Sequence, residues 1–292
     1  MEGEPIHIAL TFDDNFWAPA YALMRSVCLF SHRRGDLVFH LCHRTLRPEH
    51  KTDLDAIARE FGAKLHYYDL DRSELFADIA RRMPENKRLT NIVYARLVID
   101  RIIGADALRV LYLDCDMLVR APIEEVYDID LEGFPIAAVR DTIGAFIVAG
   151  RDLRNNRDIF DIADPYFNAG MLLIDLEKWR EANILSRLEE ALASGVMDRI
   201  YYDQDFLNLV FKNNWLRLPP TWNTIDARHA HEGLDPSILH YTGEAKPWGL
   251  LAGMRQSVAF ARLYRHVMTN DIFYRFLRHR WKRYWLKKIG RS

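Results

Sequence analysis

Two aspartates near the middle of the chain have the spacing of a metal site. Asp114 and Asp116 follow the apolar residues VLYL, and the apolar residues MLV come directly after them. Side chains at i and i+2 of an extended segment point to the same face, so this pair can hold one hard divalent cation. Buried like charges need a cation or a donor to compensate them. A structural ion pair is the alternative interpretation.

The same spacing occurs four more times, at Asp53/Asp55, Asp69/Asp71, Asp128/Asp130 and Asp203/Asp205. The first pair lies in a predicted amphipathic helix, where side chains at i and i+2 diverge. The next two pairs have the pattern of acids at a strand exit or in a turn. Spacing alone is therefore a weak signal, and the pair that follows a buried strand is the best candidate.

A second polar segment, HYTGEAKPWG, runs from His240 to Gly249. Here His240 could supply a metal ligand, Gly243 a close approach of the backbone, and Lys246 a charge that binds phosphate. A turn with a solvated lysine is the alternative, because a single histidine among 11 more often packs or contacts solvent.

The apolar pattern that positions these segments alternates between strand and helix. It predicts strands at Ile6–Leu10, Leu37–Cys42, Lys64–Leu70, Arg109–Leu113, Ile136–Val139 and Met171–Ile174. It predicts helices at Pro19–Phe30, Pro48–Phe61, Asn91–Ile103, Leu185–Ala193 and Gln204–Phe211. This alternation predicts an α/β fold with a mostly parallel sheet, whose ligands bind beyond the carboxyl ends of the strands. Polar residues follow predicted strand ends at Asp13–Asn15, Asp114–Asp116 and Asp141.

The composition is that of a globular protein. The 292 residues are 49% hydrophobic, and no linker rich in Pro, Gly or Ser divides them. Three cysteines without a CxxC pair argue against a disulfide framework or a structural zinc site. The N-terminus does not resemble a secretory signal, and no apolar run approaches the ~18 to 20 residues of a spanning helix. We therefore expect a cytoplasmic protein.

The end of the chain is basic and aromatic. From residue 275 onward there is no acidic residue, and the basic ones are Arg275, Arg278, Arg280, Lys282, Arg283, Lys287, Lys288 and Arg291. Aromatic residues lie between them, so a helix over 269–292 could present apolar and cationic faces to an anionic membrane surface. A tail that binds nucleic acid and a helix packed on the body are the alternatives.

Six segments occur in an order that matches a known family. They are TFDDNF (11–16), YARL (94–97), VLYLDCDMLVR (110–120), YFNAGMLLIDLEKWR (166–180), YYDQDFLN (201–208) and HYTGEAKPW (240–248). Together they resemble the bacterial members of glycosyltransferase family 8, the lipopolysaccharide galactosyl- and glucosyltransferases. The resemblance covers roughly residues 5 to 250, and six ordered motifs are far more specific than any one.

The resemblance implies a GT-A fold over residues 1–268 and a retaining transfer that depends on Mn2+, with Mg2+ as the second candidate. The implied donor is UDP-galactose or UDP-glucose, and the implied acceptor is a glycan or glycolipid, with lipopolysaccharide core expected. Such an acceptor favours a membrane surface over nucleic acid as the partner of the tail, at the cytoplasmic face of the inner membrane. The alternatives are a UDP-sugar-binding protein without catalysis and a nucleotidyltransferase or sugar-nucleotide hydrolase.

Motif position also implies a role for single residues. The implied metal ligands are Asp114, Asp116 and His240. The nucleotide would contact Thr11, Asp13, Asn15 and Cys115, and the diphosphate would contact Gly243 and Lys246. The transferred sugar would contact Arg96, Asp141, Asn168, Asp203 and Gln204.

The stereochemistry of transfer depends on what lies beneath the anomeric carbon. The family pattern places Gln204 near that face, and an amide is a poor nucleophile. We therefore predict front-face attack, in which the departing phosphate oxygen takes the proton of the acceptor hydroxyl. Double displacement through Asp203 is the alternative. The acceptor site is expected in the loops Arg140–Asp164 and Arg228–Pro236.

Overall fold

The computed structural model describes residues 3–83, 90–104, 107–141, 158–160, 164–200, 202–249, 252 and 258–288. The strands are β1 (Ile6–Asp13), β2 (Leu37–Arg44), β3 (Lys64–Asp69), β4 (Arg109–Leu113), β5 (Met117–Val119), β6 (Ile136–Arg140), β7 (Phe167–Asp175), β8 (Leu216–Leu218), β9 (Thr224–Ile225) and β10 (Ile238–His240). The α-helices are α1 (Trp17–Phe30), α2 (Pro48–Phe61), α3 (Glu74–Arg82), α4 (Ile99–Ile102), α5 (Glu124–Tyr127), α6 (Leu176–Glu181), α7 (Ile184–Ala193), α8 (Tyr202–Phe211), α9 (Ala261–Met268) and α10 (Asn270–Lys288). Most of the predicted acceptor loop Arg140–Asp164, together with Tyr201 and Arg291, lies outside the described residues.

Seven strands form one sheet in the order β3-β2-β1-β4-β7-β6-β8. Strand β7 is antiparallel to β4 and β6, and the other neighbouring pairs are parallel. Apolar side chains of α1, α2, α9 and α10 cover one face, and those of α3, α6, α7 and α8 cover the other. Burial on both faces explains the continuous apolar runs Val110–Leu113 in β4 and Met171–Ile174 in β7. The predicted α/β fold with a mostly parallel sheet is confirmed.

The predicted helix Pro48–Phe61 coincides with α2. Pro48 occupies the first turn, where a missing N–H costs nothing, and Gly62 ends the helix with a φ of +77°. The strand Arg109–Leu113 also coincides with β4. Residues with special backbone preferences, such as Pro48 and Gly62, therefore allow the ends of a helix to be predicted.

The prediction of one helix over Asn91–Ile103 is wrong. Residues Asn91–Val98 form a 3-10 helix, and only Ile99–Ile102 form an α-helix, α4. The apolar spacing reflects burial on the second face of the sheet. Arg96 is 5% exposed and pairs with two aspartates, so tertiary contacts outweigh the α-helical preference of this segment.

A second sheet of three short strands, β5-β10-β9, lies at the end of β4. Strand β10 is antiparallel to β5 and parallel to β9. Two or three residues are too few to show a period of two, so the apolar pattern predicts none of these strands. This sheet matters because it carries His240.

The C-terminal helices belong partly to the core. Ile272, Phe273 and Phe276 of α10 are at most 5% exposed, and Phe276 packs against Trp17 and Trp248. Farther along α10 the exposed aromatic side chains are Trp281, Tyr284 and Trp285. Among the described residues, no helix combines the length and the apolar character that crossing a membrane requires.

Candidate active site

Strand β4 leads directly into the first aspartate of the candidate metal site. The N–H of Asp114 donates to the carbonyl of Gly170 at 2.8 Å, which extends the pairing of β4 with β7 by one residue. Asp116 follows after Cys115, just before β5. The side chains of Asp114 and Asp116 are 27% and 17% exposed. Both therefore lie at a partly open edge of the sheet.

Pairing of β10 with β5 brings His240 to these two carboxylates. His240 lies opposite Met117 in the register of the small sheet. Its Nε2 is 3.7 Å from Oδ2 of Asp114 and 3.2 Å from Oδ1 of Asp116. One ligand atom from each of the three residues lies within 4.8 Å of the others. The structure thus brings together the three side chains that the motifs suggest as one cluster.

Asn223 fixes the orientation of the His240 ring. His240 is 3% exposed, and its Nδ1 lies 3.0 Å from Oδ1 of Asn223. An amide oxygen accepts, so Nδ1 carries a proton, and Nε2 is the ring nitrogen that faces the carboxylates. Sequence reasoning missed Asn223, which follows a tryptophan in a segment without a periodic pattern.

Gly170 in β7 provides the space for this cluster. A Cβ atom at this position would lie 2.3 Å from Cε1 of His240 and 2.8 Å from Oδ2 of Asp114. Both groups are rigidly held, so any side chain would separate them. Sequence reasoning missed Gly170 as well, although a glycine inside an apolar strand is a signal of close approach. Two carboxylates and one imidazole around such a space fit a divalent cation such as Mn2+.

Opposite charges dominate the electrostatics of this cluster. Nζ of Lys246 donates to Oδ2 of Asp116 at 2.7 Å and to the carbonyl of Tyr241. Burial acts to raise the pKa of Asp116, but His240 and Lys246 outweigh it and hold that pKa well below its usual range. Burial acts to lower the pKa of His240, and the two carboxylates outweigh it and raise that pKa. A divalent cation at this position would take the place of the imidazole proton.

Arg96 connects the metal cluster to a second acidic residue. One terminal guanidinium nitrogen, Nη2, is 2.9 Å from Oδ1 of Asp114, and its Nε is 2.6 Å from Oδ2 of Asp203. The other terminal nitrogen, Nη1, donates to the carbonyl of Ala169. Burial raises the pKa of Asp203 to about 6, although Arg96 acts to lower it. Asp203 is therefore a buried acid that a single arginine compensates only in part.

Beyond Arg96 lies a network of neutral amides. Oε1 of Gln204 accepts from the N–H of Ala169 at 3.0 Å and from Nδ2 of Asn168 at 3.2 Å. Both Nε2 of Gln204 and Nδ2 of Asn168 donate to Oδ2 of Asp141 at 3.2 Å. All of the residues predicted to contact the sugar, namely Arg96, Asp141, Asn168, Asp203 and Gln204, therefore belong to one connected set of contacts.

Two further residues support this network and were missed in the sequence. Tyr166 donates its hydroxyl proton to Asp205 and accepts from Nε2 of Gln204 at 3.2 Å. Asp205 is 1% exposed. Asp203 and Asp205 are thus two buried acids with different partners, because side chains at positions i and i+2 of a helix such as α8 point in different directions.

The predicted nucleotide residues Thr11, Asp13, Asn15 and Cys115 lie at the end of β1 and in the turn between β4 and β5. The hydroxyl of Thr11 lies 2.7 Å from that of Tyr112, which donates to Asp114. Asp13 accepts from the backbone and side chain of Asn15, at 2.9 and 3.1 Å. Sγ of the buried Cys115 lies 3.6 Å from the carbonyl oxygen of Thr11. These contacts join the end of β1 to the metal cluster.

Gly243 has a different partner in this structure. Its N–H donates at 2.8 Å to Oδ1 of Asp226, whose other oxygen accepts from Thr242. A Cβ at Gly243 would lie 3.1 Å from that carboxylate. The amide that is predicted to contact a diphosphate therefore contacts a carboxylate.

The sequence is similar to those of known glycosyltransferases. The sequence model described as glycosyl transferase family 8 matches residues 7–252. The glycosyltransferase GlyF of Streptococcus pneumoniae is 30% identical over 250 residues, which cover 82% of this chain and 56% of GlyF. The lipopolysaccharide 1,3-galactosyltransferase of Salmonella typhimurium is 28% identical over 264 residues, which cover 85% of this chain and 74% of that enzyme.

The fold also matches a solved enzyme. The crystal structure of the galactosyltransferase LgtC with donor and acceptor sugar analogues aligns with a TM-score of 0.74 and 27% identity, over 90% of this chain and 95% of LgtC. This agreement confirms the predicted GT-A type of fold. The family match extends from β1 past Lys246 and so includes every residue of the candidate site. The chain belongs to glycosyl transferase family 8.

Proposed function

We propose that this family member is a retaining hexosyltransferase that moves galactose or glucose from a UDP-sugar to a glycan acceptor. The observation that carries the proposal is the convergence of Asp114, Asp116, His240 and Lys246 next to the amide network of Gln204. The proposed sites for a diphosphate and for a sugar would thus lie side by side. The LgtC structure with donor and acceptor sugar analogues supports the same reaction class.

Asp114, Asp116 and His240 would hold Mn2+, with Mg2+ as the second candidate. A bound divalent cation supplies a Lewis acid that neutralises the charge on the departing diphosphate. Lys246 donates to Asp116 and to a carbonyl, so one of its three N–H groups is left for a phosphate oxygen. That fixed charge stabilises UDP as it leaves.

The nucleotide would lie across the end of β1. Asp13 and Asn15 present polar atoms to the uracil and ribose, and Thr11 and Cys115 form the floor beneath the ribose. For Gly243 to bind the diphosphate, its N–H must leave Asp226, so we expect this loop to rearrange when UDP-sugar binds. Phosphate and carboxylate are both anionic acceptors, so the exchange conserves the type of hydrogen bond.

The amide network would orient the sugar. Arg96, Asp141, Asn168 and Gln204 present fixed donors and acceptors to its hydroxyl groups, which lowers the entropic cost of reaching the transition state. The carboxylate of Asp203 is held against Arg96, where it is poorly disposed to attack. We therefore favour front-face attack, in which the phosphate oxygen that leaves the sugar takes the proton of the acceptor hydroxyl.

The experiment that tests this function is a donor and acceptor screen. Purified protein is incubated with UDP-glucose or UDP-galactose, with and without Mn2+, and with and without lipopolysaccharide core oligosaccharide. We expect a glycosylated product by mass spectrometry, in a reaction that needs metal, and NMR should show the anomeric configuration of the donor retained. Release of free sugar at the same rate with and without acceptor would instead support a hydrolase.

The acceptor would be a membrane glycolipid, and α10 would bind the surface that contains it. Trp281, Tyr284 and Trp285 are 67%, 58% and 52% exposed, and basic residues flank them. We expect Trp281→Ser with Trp285→Ser to weaken flotation with anionic vesicles while sparing transfer to a soluble acceptor. The matched control, Leu75→Ser with Leu108→Ser, removes exposed apolar side chains elsewhere and should leave flotation unchanged.

A further inference from the structure

A basic cavity lies outside the candidate active site, where α1, α9 and the start of α10 meet. It is open to solvent and has a volume of about 460 Å³. Its lining residues are Arg25, Arg262, Arg265, His266, Thr269 and Asn270. No acidic side chain is among the described residues that line it. A space with three guanidinium groups, one of them paired with Glu60, and one imidazole favours an anionic partner.

Helix α9 concentrates this charge on one face. Arg262 and Arg265 lie at positions i and i+3, which are neighbours on a helix, and like charges at this spacing destabilise it. His266, at position i+4, lies beside them. The opposite face is apolar, and Tyr264 and Val267 on it are at most 1% exposed. Packing of that face against the core therefore holds the basic face towards the cavity, and an anion there would relieve the repulsion.

Two of the guanidinium groups are already held in place. Arg25 binds Glu60 at 2.8 Å and the carbonyl of Val267 at 3.2 Å. Arg265 lies over the rings of Phe273 and Tyr274, 4.5 and 5.1 Å from their centroids. These contacts fix the guanidinium groups without neutralising Arg265, because an aromatic ring carries no net charge.

Arg262 is the third and least constrained group. It is exposed and has no hydrogen bond or ion pair with any residue that the structure describes. Its five N–H donors are therefore left for a ligand or for water. Arg25 and Arg265, which are held by their contacts, and Arg262, which is not, can therefore bind an anion from two sides of the cavity.

We propose that this cavity binds a phosphate group, as a phosphomonoester or a phosphodiester. The planar guanidinium matches the geometry of phosphate oxygens and binds them with two parallel hydrogen bonds. The first turn of α10, at Thr269 and Asn270, adds the positive end of a helix dipole to the same cavity. The volume exceeds that of a bare phosphate ion, which leaves room for the group attached to it.

The phosphate could belong to a lipid headgroup or to a soluble phosphate ester, and the position of the cavity favours the headgroup. Arg265 donates to the hydroxyl of Tyr274, so the cavity is joined to the exposed side of α10. Tyr274, Trp281 and Trp285 are spaced by seven and four residues and so lie on one face of that helix. A headgroup in the cavity would place its acyl chains towards these aromatic side chains.

The test uses full-length protein that carries Lys246→Gln, without metal, so that the proposed diphosphate site does not contribute. The cavity variant is Arg262→Gln with Arg265→Gln. The matched control is Lys282→Gln with Arg283→Gln, which removes the same charge from exposed positions on α10. The probes are glycerol 3-phosphate, measured by calorimetry, and phosphatidylcholine vesicles with and without phosphatidic acid, measured by flotation.

We expect the control to bind glycerol 3-phosphate as the parent does and the cavity variant to bind it at least ~10-fold more weakly, the effect of losing charge-assisted hydrogen bonds. If flotation with phosphatidic acid falls in parallel, the ligand is a headgroup; if flotation is unchanged, the ligand is a soluble phosphate ester. Both results support the site. Absence of glycerol 3-phosphate binding to the parent, or equal loss in both variants, overturns it.

Folding of the cavity variant must be checked separately, because Arg265 packs on two aromatic rings. If its thermal unfolding midpoint falls, His266→Gln replaces it, since His266 lines the cavity at an exposed position. We expect that variant to keep the parent's midpoint and bind glycerol 3-phosphate more weakly, and unchanged affinity would count against the site. Loss of sugar transfer in the donor screen would leave this result unaffected.

Discussion

The two ends of the candidate active site are built from opposite kinds of chemistry. At the metal end, Asp114, Asp116, His240 and Lys246 bring two carboxylates, an imidazole and an ammonium group into contact. At the sugar end, the centre of the network is the neutral amide of Gln204. Charged groups thus contact one another directly where the proposed reaction builds charge, whereas at the sugar end neutral amides lie between the charged side chains of Arg96 and Asp141, where a neutral sugar needs only orientation.

The two ends share one buried cation, which affects the ionisation of the acids that pair with it. Arg96 is buried and shared between Asp114 at the metal end and Asp203 at the sugar end. Burial raises the pKa of Asp203, Arg96 acts to lower it, and the negative charge of Asp114 acts to raise it further. The charge of Asp114 at the metal end therefore disfavours ionisation of Asp203 at the sugar end, which is the strain between the two ends. Substitutions can separate what each end contributes to catalysis and to stability.

The largest effect should come from removing a charge at the metal end. We expect Asp116→Asn to lower kcat by at least ~10³-fold, because it weakens both the cation site and the hold on Lys246. Steady-state transfer over a range of Mn2+ concentrations measures this. The control Asp128→Asn alters an exposed acid of another Asp-x-Asp pair and should have near-parental activity. If the activity of Asp116→Asn were within tenfold of the parent's, the metal end would not be the more important of the two for catalysis.

The next effect concerns stability, through Asp203. Burial raises its pKa in the folded protein to about 6, against ~3.9 in an unfolded chain, so folding favours the protonated form. Its contribution is present below ~3.9 and is lost as the pH rises towards 6, by up to ~3 kcal/mol. We therefore expect Asp203→Asn to gain unfolding free energy relative to the parent as the pH rises through this window.

Urea unfolding of the metal-free proteins at about pH 4 and about pH 7 measures the difference between Asp203→Asn and the parent. Asp158→Asn is the control, since Asp158 is exposed and pairs with the exposed Arg199. A difference that does not change with pH would show that Arg96 compensates Asp203 completely. The strain between the two ends would then be absent.

The parallel part of the sheet could be predicted from the sequence, since β1, β2, β3 and β4 have apolar runs that end in polar residues. The strands of the small sheet could not, because two or three residues carry no period. His240 therefore entered the prediction through the residue types of its polar segment and through a motif that resembles a family. The pattern of apolar residues gave no sign that it would lie opposite Met117.

Asn223 shows a second limit of sequence reasoning. Its side chain contacts His240, 17 positions away, and Asn168, 55 positions away. Nothing local to residues 219–224 reflects these contacts, which depend on how β10 and β7 are placed by the rest of the fold. Residues that hold a functional group are defined by tertiary contacts, whereas residues such as Asp114 also follow a recognisable strand end.

At the sugar end we expect a smaller loss than at the metal end. Gln204→Ala removes the oxygen that accepts from Asn168 and the N–H that donates to Asp141. We expect kcat to fall by ~10²-fold. Affinity for Mn2+ should not change, because the hydrogen bonds of the Gln204 side chain within the described structure are to Asp141, Tyr166, Asn168 and Ala169 and not to the proposed metal ligands. Metal titration in the presence of UDP separates the two quantities. A parallel fall in metal affinity would mean that the ends act as one unit.

The smallest and most selective effect belongs to Asn223, which touches both ends. Its Oδ1 accepts from His240, and its Nδ2 donates to Oδ1 of Asn168 at 2.9 Å. Asn223→Leu loses both contacts and should weaken Mn2+ binding by ~10-fold to ~100-fold, as expected when the partner of a metal-binding imidazole is removed. Asn223→Asp keeps the acceptor for Nδ1 and loses only the donor to Asn168. The Asn223→Asp variant should therefore retain its affinity for Mn2+. Its kcat should fall, because the new carboxylate and the amide oxygen of Asn168 are both acceptors and repel each other. If both substitutions weaken metal binding equally, the imidazole is not held by Asn223, and the metal end owes its geometry to Gly170 and the strand register alone.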